Sequence, residues 1–227
     1  MKKNLVVLTG AGISAESGLK TFRDSDGLWE GYDVREVATP GAWKKNPQLV
    51  LDFYNIRREN VLAAQPNAAH YGLATLEKDY EVTIITQNID DLHERAGSSN
   101  VVHLHGQILK MRSEKNEALV YDIKNDIKWG DKAADGAQLR PHIVWFEEEV
   151  PMILTAINIV RKADIFVVVG TSLAVYPAAG LVNYAPRNIP TFIIDKLIPY
   201  TVAMNNLISI EKPATEGIKD LLSMLSV

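Results

Sequence analysis

The chain has 227 residues, of which 47% are hydrophobic, enough to bury the core of one ordinary domain with a modest insertion. Its net charge of −4 argues against a nucleic-acid partner, which would require a basic surface. It contains no cysteine, which excludes disulfide bonds, a cysteine nucleophile and a zinc site built from thiolates.

The first residues lack the long apolar stretch of a signal peptide, and no apolar run reaches membrane-spanning length. We therefore expect a cytoplasmic protein that makes no membrane contact.

The first predicted element is a strand over residues 5–8, a continuous apolar run typical of a strand buried on both faces of a parallel sheet. Residues 10–15, GAGISA, then match a dinucleotide-binding fingerprint. In that motif Gly10 permits a tight turn, Gly12 lets the backbone approach a pyrophosphate, and the following helix directs its first amides at the phosphates. By itself the pattern also fits a strand, a turn and a helix without a ligand.

The continuation after residue 15 is more specific. An ordinary dinucleotide-binding unit runs a long helix into a second strand, whereas this chain breaks at Gly18 and continues with TFRD at 21–24 and GLW at 27–29. The composite resembles the NAD-binding motif of the sirtuin family. This resemblance assigns to the cofactor the residues Gly10, Ala11, Gly12, Ile13, Ser14, Ala15, Phe22, Arg23 and Trp29.

A helix is predicted from Pro47 to about residue 64, because Asn46 is a good N-cap and proline suits the first helical position. Tyr54 and Arg57 lie within its apolar stripe. From the residues alone, Arg57 either reaches the rim or pairs with a carboxylate such as Glu59. In the sirtuin branch that removes acidic acyl groups, however, Tyr-x-x-Arg binds the substrate, with an alanine sixteen positions earlier, here Ala38.

A second helix, roughly 67–79, leads to a strand over 81–86 that ends in QNIDDLH. Polar residues at the carboxyl end of a parallel strand lie where a cofactor binds, although a loop with Asp91 as N-cap is also compatible. The resemblance to sirtuins assigns the cofactor ribose and carboxamide to Gln87, Asn88, Ile89 and Asp90.

The next predicted strand, 101–106, carries His103 and His105. A metal site, a structural histidine and a general base are the three interpretations, since an imidazole titrates near working pH. The sirtuin motif places its catalytic base, which also contacts the cofactor, at His105 and leaves His103 structural.

Residues 110–138 are polar. Sirtuins usually carry two cysteine pairs here that hold a structural zinc, and this sequence has none of them. We predict a short, mobile hairpin without zinc, held by the hydrophobic residues Leu119, Tyr121, Ile123, Ile127 and Trp129.

The resemblance to sirtuins implies that two segments form the walls of an acyl-lysine slot, between which a peptide would pair by strand addition. The first is 139–147, predicted to return to the sheet, with Val144 and Phe146; Glu147 replaces the usual glycine of the family and opens an acidic run that either favours basic substrates or is simply solvated. The second follows a helix over 151–162, a strand over 164–169 and the turn Gly170-Thr171-Ser172, which is expected to face the cofactor. It is an extended piece over 174–176 with Val175 and Tyr176.

The last predicted strands are 190–194 and 207–210, followed by a helix that ends near residue 225. Asp195 stands where sirtuins have asparagine against the adenine ribose, and a carboxylate there accepts from ribose hydroxyls and repels a 2′-phosphate. We therefore expect NAD rather than NADP, with Ala214 near the adenine.

The resemblance to sirtuins implies an α/β fold, a Rossmann-like open parallel sheet with helices on both faces, in one catalytic domain over 1–227. It also implies a large lobe over 1–30, 67–109 and 140–227 and a small lobe formed by two insertions, 31–66 and 110–139. The resemblance implies an NAD-dependent protein-lysine deacylase that releases nicotinamide and acts on acyl-lysine proteins or peptides. An NAD-dependent dehydrogenase and a non-catalytic ADP-ribose-binding module are the alternatives.

Overall fold

The computed structural model describes residues 2–20, 28–29, 32–199 and 206–225, and describes no side chains for 28 and 29. In chain order the elements are β1 (Asn4–Thr9), α1 (Gly12–Ala15), β2 (Leu28–Trp29), β3 (Tyr32–Asp33), α2 (Val34–Val37), α3 (Pro40–Lys45), α4 (Pro47–Ala63), α5 (Ala68–Thr75), β4 (Glu81–Thr86), α6 (Leu92–Arg95), β5 (Val101–His103), β6 (Gly106–Ser113), β7 (Val120–Asp122), β8 (Leu139–Ile143), α7 (Ile153–Val160), β9 (Ile165–Val169), β10 (Thr191–Asp195), β11 (Leu207–Glu211) and α8 (Ala214–Leu225).

Six parallel strands form the main sheet in the order β11-β10-β9-β1-β4-β5. The four inner strands are the apolar runs that the sequence indicates, and alternate residues of each are buried on opposite faces. In β1, Leu5 and Val7 belong to one buried cluster, whereas Val6 and Leu8 belong to another. The predicted open parallel sheet is confirmed.

Helices cover both faces of this sheet, as predicted. Helices α5 and α8 pack on the face of Leu5 and Val7. Helix α7 and a 3-10 segment, Ala178–Tyr184, pack on the opposite face. Because the carboxyl ends of all six strands point in the same direction, the loops that follow β1, β4, β9 and β10 gather along one edge.

A third buried cluster, which we call the small-lobe core, lies beyond that edge. It joins residues of α2, α3 and α4 to Ile108, Ile127, Ile143 and Trp145. Its members Ile89, Ile108, Ile143 and Trp145 lie outside residues 31–66 and 110–139.

The prediction that 139–147 returns to the main sheet is wrong. Instead β8 pairs antiparallel with β6, and β7 pairs with the other side of β6, in a separate three-stranded sheet. The chain turns away from the main sheet after β5, where Gly106 has φ +84 and presses against the backbone of His142. A side chain at Gly106 would collide with that backbone, so this turn requires glycine and gives β8 its partner.

The predicted hairpin over 110–138 is therefore two strands of a three-stranded sheet, and a buried polar network accompanies its hydrophobic residues. Gln138 accepts from the amide of Gly130 at 2.7 Å and donates to the carbonyl of Lys128 at 3.0 Å. Ser113 donates to Asp135 at 2.7 Å. Ile127 is buried, whereas Trp129 is exposed. These hydrogen bonds connect the loop through residues of this chain alone, without a thiolate.

Two other elements differ from prediction. The helix expected over 67–79 ends at Thr75 and continues as a 3-10 turn, Leu76–Lys78. The extended piece expected over 174–176 is instead a bend and a turn that follow Leu173, which has φ +52. A strand there would need a neighbouring edge to pair with, and none of the described strands borders it.

Candidate active site

A cavity of about 330 Å³ opens between the carboxyl edge of the sheet and the small-lobe core. Every predicted cofactor residue whose side chain is described lines it, except Ile13. These residues are Gly10, Ala11, Gly12, Ser14, Ala15, Gln87, Asn88, Ile89, Asp90, His105, Gly170, Thr171, Ser172, Asp195 and Ala214. The predicted substrate residues line the same cavity; they are Ala38, Tyr54, Arg57, Val144, Phe146, Val175 and Tyr176.

Four predicted residues are not placed at the cavity. The side chain of Ile13 is fully buried in the cluster beneath the sheet, because it follows the tight turn after β1 and points inward. Phe22 and Arg23 lie outside the described residues, as does the side chain of Trp29.

Two glycine turns meet at one end of the cavity. The amide of Gly10 donates to the carbonyl of Val169 at 3.0 Å, and the amide of Gly12 donates to the carbonyl of Gly170 at 2.8 Å. A Cβ on Gly12 would lie 2.7 Å from Cα of Gly170, closer than two carbons can approach. The close packing of the turn after β9 therefore requires glycine at position 12. That Gly12 also lets the backbone approach a pyrophosphate stays a prediction.

The loop after β4 builds a buried polar network beside these turns. The amide nitrogen of Asn88 donates to the carbonyl of Gly10 and to Oγ of Ser14, both at 3.1 Å. Ser14 donates in turn to Asp90 at 3.1 Å, and burial raises the pKa of Asp90. Because both amide hydrogens of Asn88 are directed into the protein, Oδ1 is the atom that it offers a ligand. An acceptor of this kind suits a carboxamide N–H.

His105 lies on the opposite wall, just before β6. Its Nδ1 is 3.0 Å from the carbonyl oxygen of Gln87. A carbonyl only accepts, so Nδ1 carries the proton and Nε2 has the lone pair. Burial lowers the pKa of His105, which keeps the ring neutral at pH 7. The tautomer and the charge state are both those of a general base.

The other end of the cavity is apolar with two buried polar side chains, Tyr54 and Arg57. They lie three residues apart on α4, with exposed fractions of 0% and 9%. Ala38, only 1% exposed, leaves room beside them. Burial raises the pKa of Tyr54 above its usual range, so the phenol stays protonated and able to donate.

Ion pairs and stacking between Arg140, Glu148 and Trp145 fix the cavity wall that faces Tyr54. Arg140 donates to both carboxylate oxygens of Glu148, at 2.8 and 3.2 Å, and its guanidinium stacks 3.3 Å above the ring of Trp145. Arg112 lies 3.7 Å from the same carboxylate. Glu148 also accepts from the amide of Trp145 at 2.8 Å. The carboxylate of Glu148 thus contacts two arginines other than Arg57.

At the far end from α4, Asp195 ends β10 and is buried. Its Oδ1 accepts from the amide of Leu197 at 3.1 Å, which fixes the carboxylate at the cavity wall. Ala214 begins α8 beside it. A small residue and an acceptor side by side suit an adenosine.

Sequence reasoning missed several lining residues, among them Val61, Trp145, Glu148 and Lys196. Val61 lies one helical turn beyond Arg57 on the predicted stripe, so helical spacing was the available signal. Trp145 stands between two predicted wall residues, but only the end of β8 after Ile143 turns its ring toward the cavity.

Within the described part of the chain, no group of three or more histidine or acidic residues is arranged to hold a metal ion. The two histidines considered as a metal pair have other partners: His103 contacts Glu94 and His105 contacts Gln87. Across the same residues, no helix is long and apolar enough to span a membrane.

Known proteins resemble this chain over almost its whole length. A model described as the Sir2 family matches residues 10–177. A protein of Helicobacter pylori (strain ATCC 700392 / 26695) named NAD-dependent protein deacylase is 54% identical over 223 residues, 98% of this chain and 97% of that protein. One of Bacteroides thetaiotaomicron with the same name is 52% identical over 229 residues, 98% of each.

Solved structures show the same likeness. A Sir2 homologue in complex with NAD has a TM-score of 0.87 and 39% identity, covering 98% of this chain and 89% of that one. A Sir2 protein with a deacetylated p53 peptide and 3′-O-acetyl ADP-ribose has a TM-score of 0.82 and 30% identity, covering 99% and 94%.

Proposed function

The chain belongs to the Sir2 family and is an NAD-dependent protein deacylase, and we propose that it prefers succinyl- or malonyl-lysine to acetyl-lysine. The observation that supports this preference is the pair Tyr54 and Arg57, both buried and both lining the cavity.

The cavity fits NAD at the sheet edge. Gly12 and Gly170 pack together without side chains between them, which suits a pyrophosphate. Asn88 offers its Oδ1 as a hydrogen-bond acceptor for the carboxamide. Asp195 lines the far side of the cavity, where the adenosine would lie. In deacylation NAD supplies nicotinamide as leaving group and ADP-ribose as acyl acceptor. We assign His105 to accept a proton at Nε2, because the carbonyl of Gln87 holds the proton of Nδ1.

The preference for an acidic acyl group follows from the charges around the slot. Arg140 donates to both carboxylate oxygens of Glu148, and Arg112 lies 3.7 Å from the same carboxylate. Glu59, considered above as a partner for Arg57, lies exposed two residues further along α4. A carboxylate at the end of an acyl chain would accept hydrogen bonds from the guanidinium of Arg57 and the protonated phenol of Tyr54, which lie on one helix face.

The size of the preference can be estimated. A hydrogen bond to a charged group contributes about 1.5–3 kcal/mol, or roughly 10- to 150-fold in relative rate. A short acetyl group does not reach both side chains, so its removal gains none of this. Some deacetylation is still expected, since the chemistry at His105 is the same.

The test compares Arg57→Met with wild type on one peptide that carries succinyl-lysine, butyryl-lysine or acetyl-lysine. Butyryl matches much of the length of succinyl without its charge. We expect kcat/KM for the succinyl peptide to fall roughly 10- to 150-fold and the other two to change little. Arg57→Lys should recover only part, because an ammonium cannot bind a carboxylate through two parallel hydrogen bonds.

The matched control is Arg161→Met. Arg161 follows α7, is exposed, and packs over Tyr184 rather than at the cavity. It should leave all three activities unchanged. Equal losses on all three peptides in Arg57→Met would show that Arg57 is structural and that the acidic-acyl proposal is wrong. Nicotinamide release measured in the same reactions distinguishes deacylation from dehydrogenation, which would reduce NAD, and from binding alone.

A further inference from the structure

His103, at the end of β5, makes two contacts that are both hydrogen bonds only when its imidazole ring is positively charged. Its Nε2 is 2.6 Å from Oε1 of Glu94, and its Nδ1 is 3.2 Å from the carbonyl oxygen of Asn88. Both partners only accept, so both contacts are hydrogen bonds only when the ring carries two protons. The imidazole side chain is 6% exposed, whereas Glu94 is 42% exposed.

Those contacts act on the loop that faces the cofactor. His105 holds the carbonyl of Gln87, and His103 holds the carbonyl of the next residue, Asn88. The two histidines flank Leu104, whose amide donates to the carbonyl of Thr86. Residues 103–105 therefore contact three consecutive backbone carbonyls, those of Thr86, Gln87 and Asn88. His103 contacts the carbonyl of Asn88, whose side chain lines the cavity and donates to Gly10 and Ser14.

We propose that His103, paired with Glu94, is a positioning residue that holds Asn88 in the geometry that binds the nicotinamide carboxamide of NAD. This inference rests on the proposed role of Asn88. His103 does not touch the cofactor; it acts through the backbone of Asn88 and through the Ser14 hydrogen bond that Asn88 makes.

The pair makes NAD binding dependent on pH. The ionisable groups that face His103 are Glu94 and His93 on α6 and Asp90 in the loop. Although burial opposes its charge, Glu94 and then Asn88 and Asp90 raise the pKa of His103 overall. A raised pKa means that the doubly protonated ring is fully present below about pH 6.5 and is lost as pH rises through the folded value. Burial keeps His93 neutral in this range.

The experiment measures the Kd of NAD and of ADP-ribose by calorimetry between pH 6.5 and 9. ADP-ribose lacks the carboxamide and is the matched ligand control. For the wild type we expect the Kd of NAD to rise about three- to fivefold with pH, the scale of a half-exposed ion pair, and that of ADP-ribose to stay constant.

The decisive variant is Glu94→Gln. A glutamine amide donates to Nε2 of a neutral imidazole, which leaves the Nδ1 proton for the carbonyl of Asn88 at every pH. The Kd of NAD should therefore be independent of pH and remain at the tighter wild-type value. In His103→Ala it should be independent of pH at the weaker value.

Asn88→Ala separates this inference from the proposal beneath it. If Asn88→Ala weakens NAD but not ADP-ribose, and Glu94→Gln keeps the wild-type pH profile, the role of His103 is refuted and that of Asn88 stands. If Asn88→Ala changes neither ligand, the carboxamide site itself is wrong. Parallel changes in NAD and ADP-ribose with pH would also overturn the inference.

Discussion

Replacing Glu147 by glycine should stabilise the protein. Glu147 has φ +72, in the left-handed region that favours glycine, and its side chain is exposed. Sirtuins usually have glycine at this place in the sequence. In this chain a glutamate adopts the left-handed conformation, two residues after Trp145, whose amide donates to the carboxylate of Glu148.

The magnitude follows from two opposing effects. A left-handed conformation costs a residue with a Cβ about 1–2 kcal/mol, which Glu147→Gly removes. Glycine adds freedom to the unfolded chain and loses about 0.5–1 kcal/mol. The central values of these ranges leave a net gain of about 0.75 kcal/mol, which for a chain of this size raises Tm by about 1.5–3 °C.

Calorimetry of wild type, Glu147→Gly and Glu147→Ala tests this reasoning. Alanine removes the same carboxylate but keeps the Cβ, so it should leave Tm within about 1 °C of wild type. If alanine raised Tm as much as glycine, the effect would come from relief of charge in the acidic run 147–149. If glycine raised it not at all, the conformational argument would be wrong.

Three other predictions concern catalysis, metal content and acid stability. His105→Ala should lower deacylation roughly 100-fold or more while the Kd of NAD stays nearly constant; wild-type turnover would move the base to another residue. The purified protein should contain no stoichiometric zinc by metal analysis, and a chelator should not change its Tm; one zinc per chain would contradict the interpretation of 110–138. Burial lowers the pKa of His70 to about 4, so the unfolded chain binds a proton that the folded chain does not, and stability falls as pH drops from about 6.5 toward 4. Urea unfolding at pH 7 and 4.5 should show that His70→Gln loses less stability across this interval than wild type, and an equal loss would refute the assignment to His70.

The elements that depend on local sequence were predicted well. Residues 5–8 and 165–169 are apolar without interruption, which suits a strand buried on both faces. The start of α4 was predicted because Asn46 accepts from the amide of Leu49 and Pro47 needs no amide partner. In both cases the physical cause acts within a few residues.

Two predictions that depended on a partner strand failed. The sequence of β8 permits a strand, but whether it joins the main sheet or pairs with β6 depends on where β6 lies. Likewise 174–176 has residues that suit an extended chain, yet none of the described strands pairs with it. Strand pairing is a contact between distant segments, and residue patterns along one segment do not contain it.

The sequence by itself determined which chemistry is available: a glycine turn for a dinucleotide, a histidine with a pKa near neutrality, a tyrosine and an arginine on one helix face, and no thiolate for zinc. Only the tertiary structure decided how these groups act. It placed Gly12 against Gly170, gave His105 a carbonyl that selects its tautomer, and matched Glu148 with arginines other than Arg57. Burial and hydrogen-bond partners set charge state and donor direction, and these arise only when segments far apart in the chain come into contact.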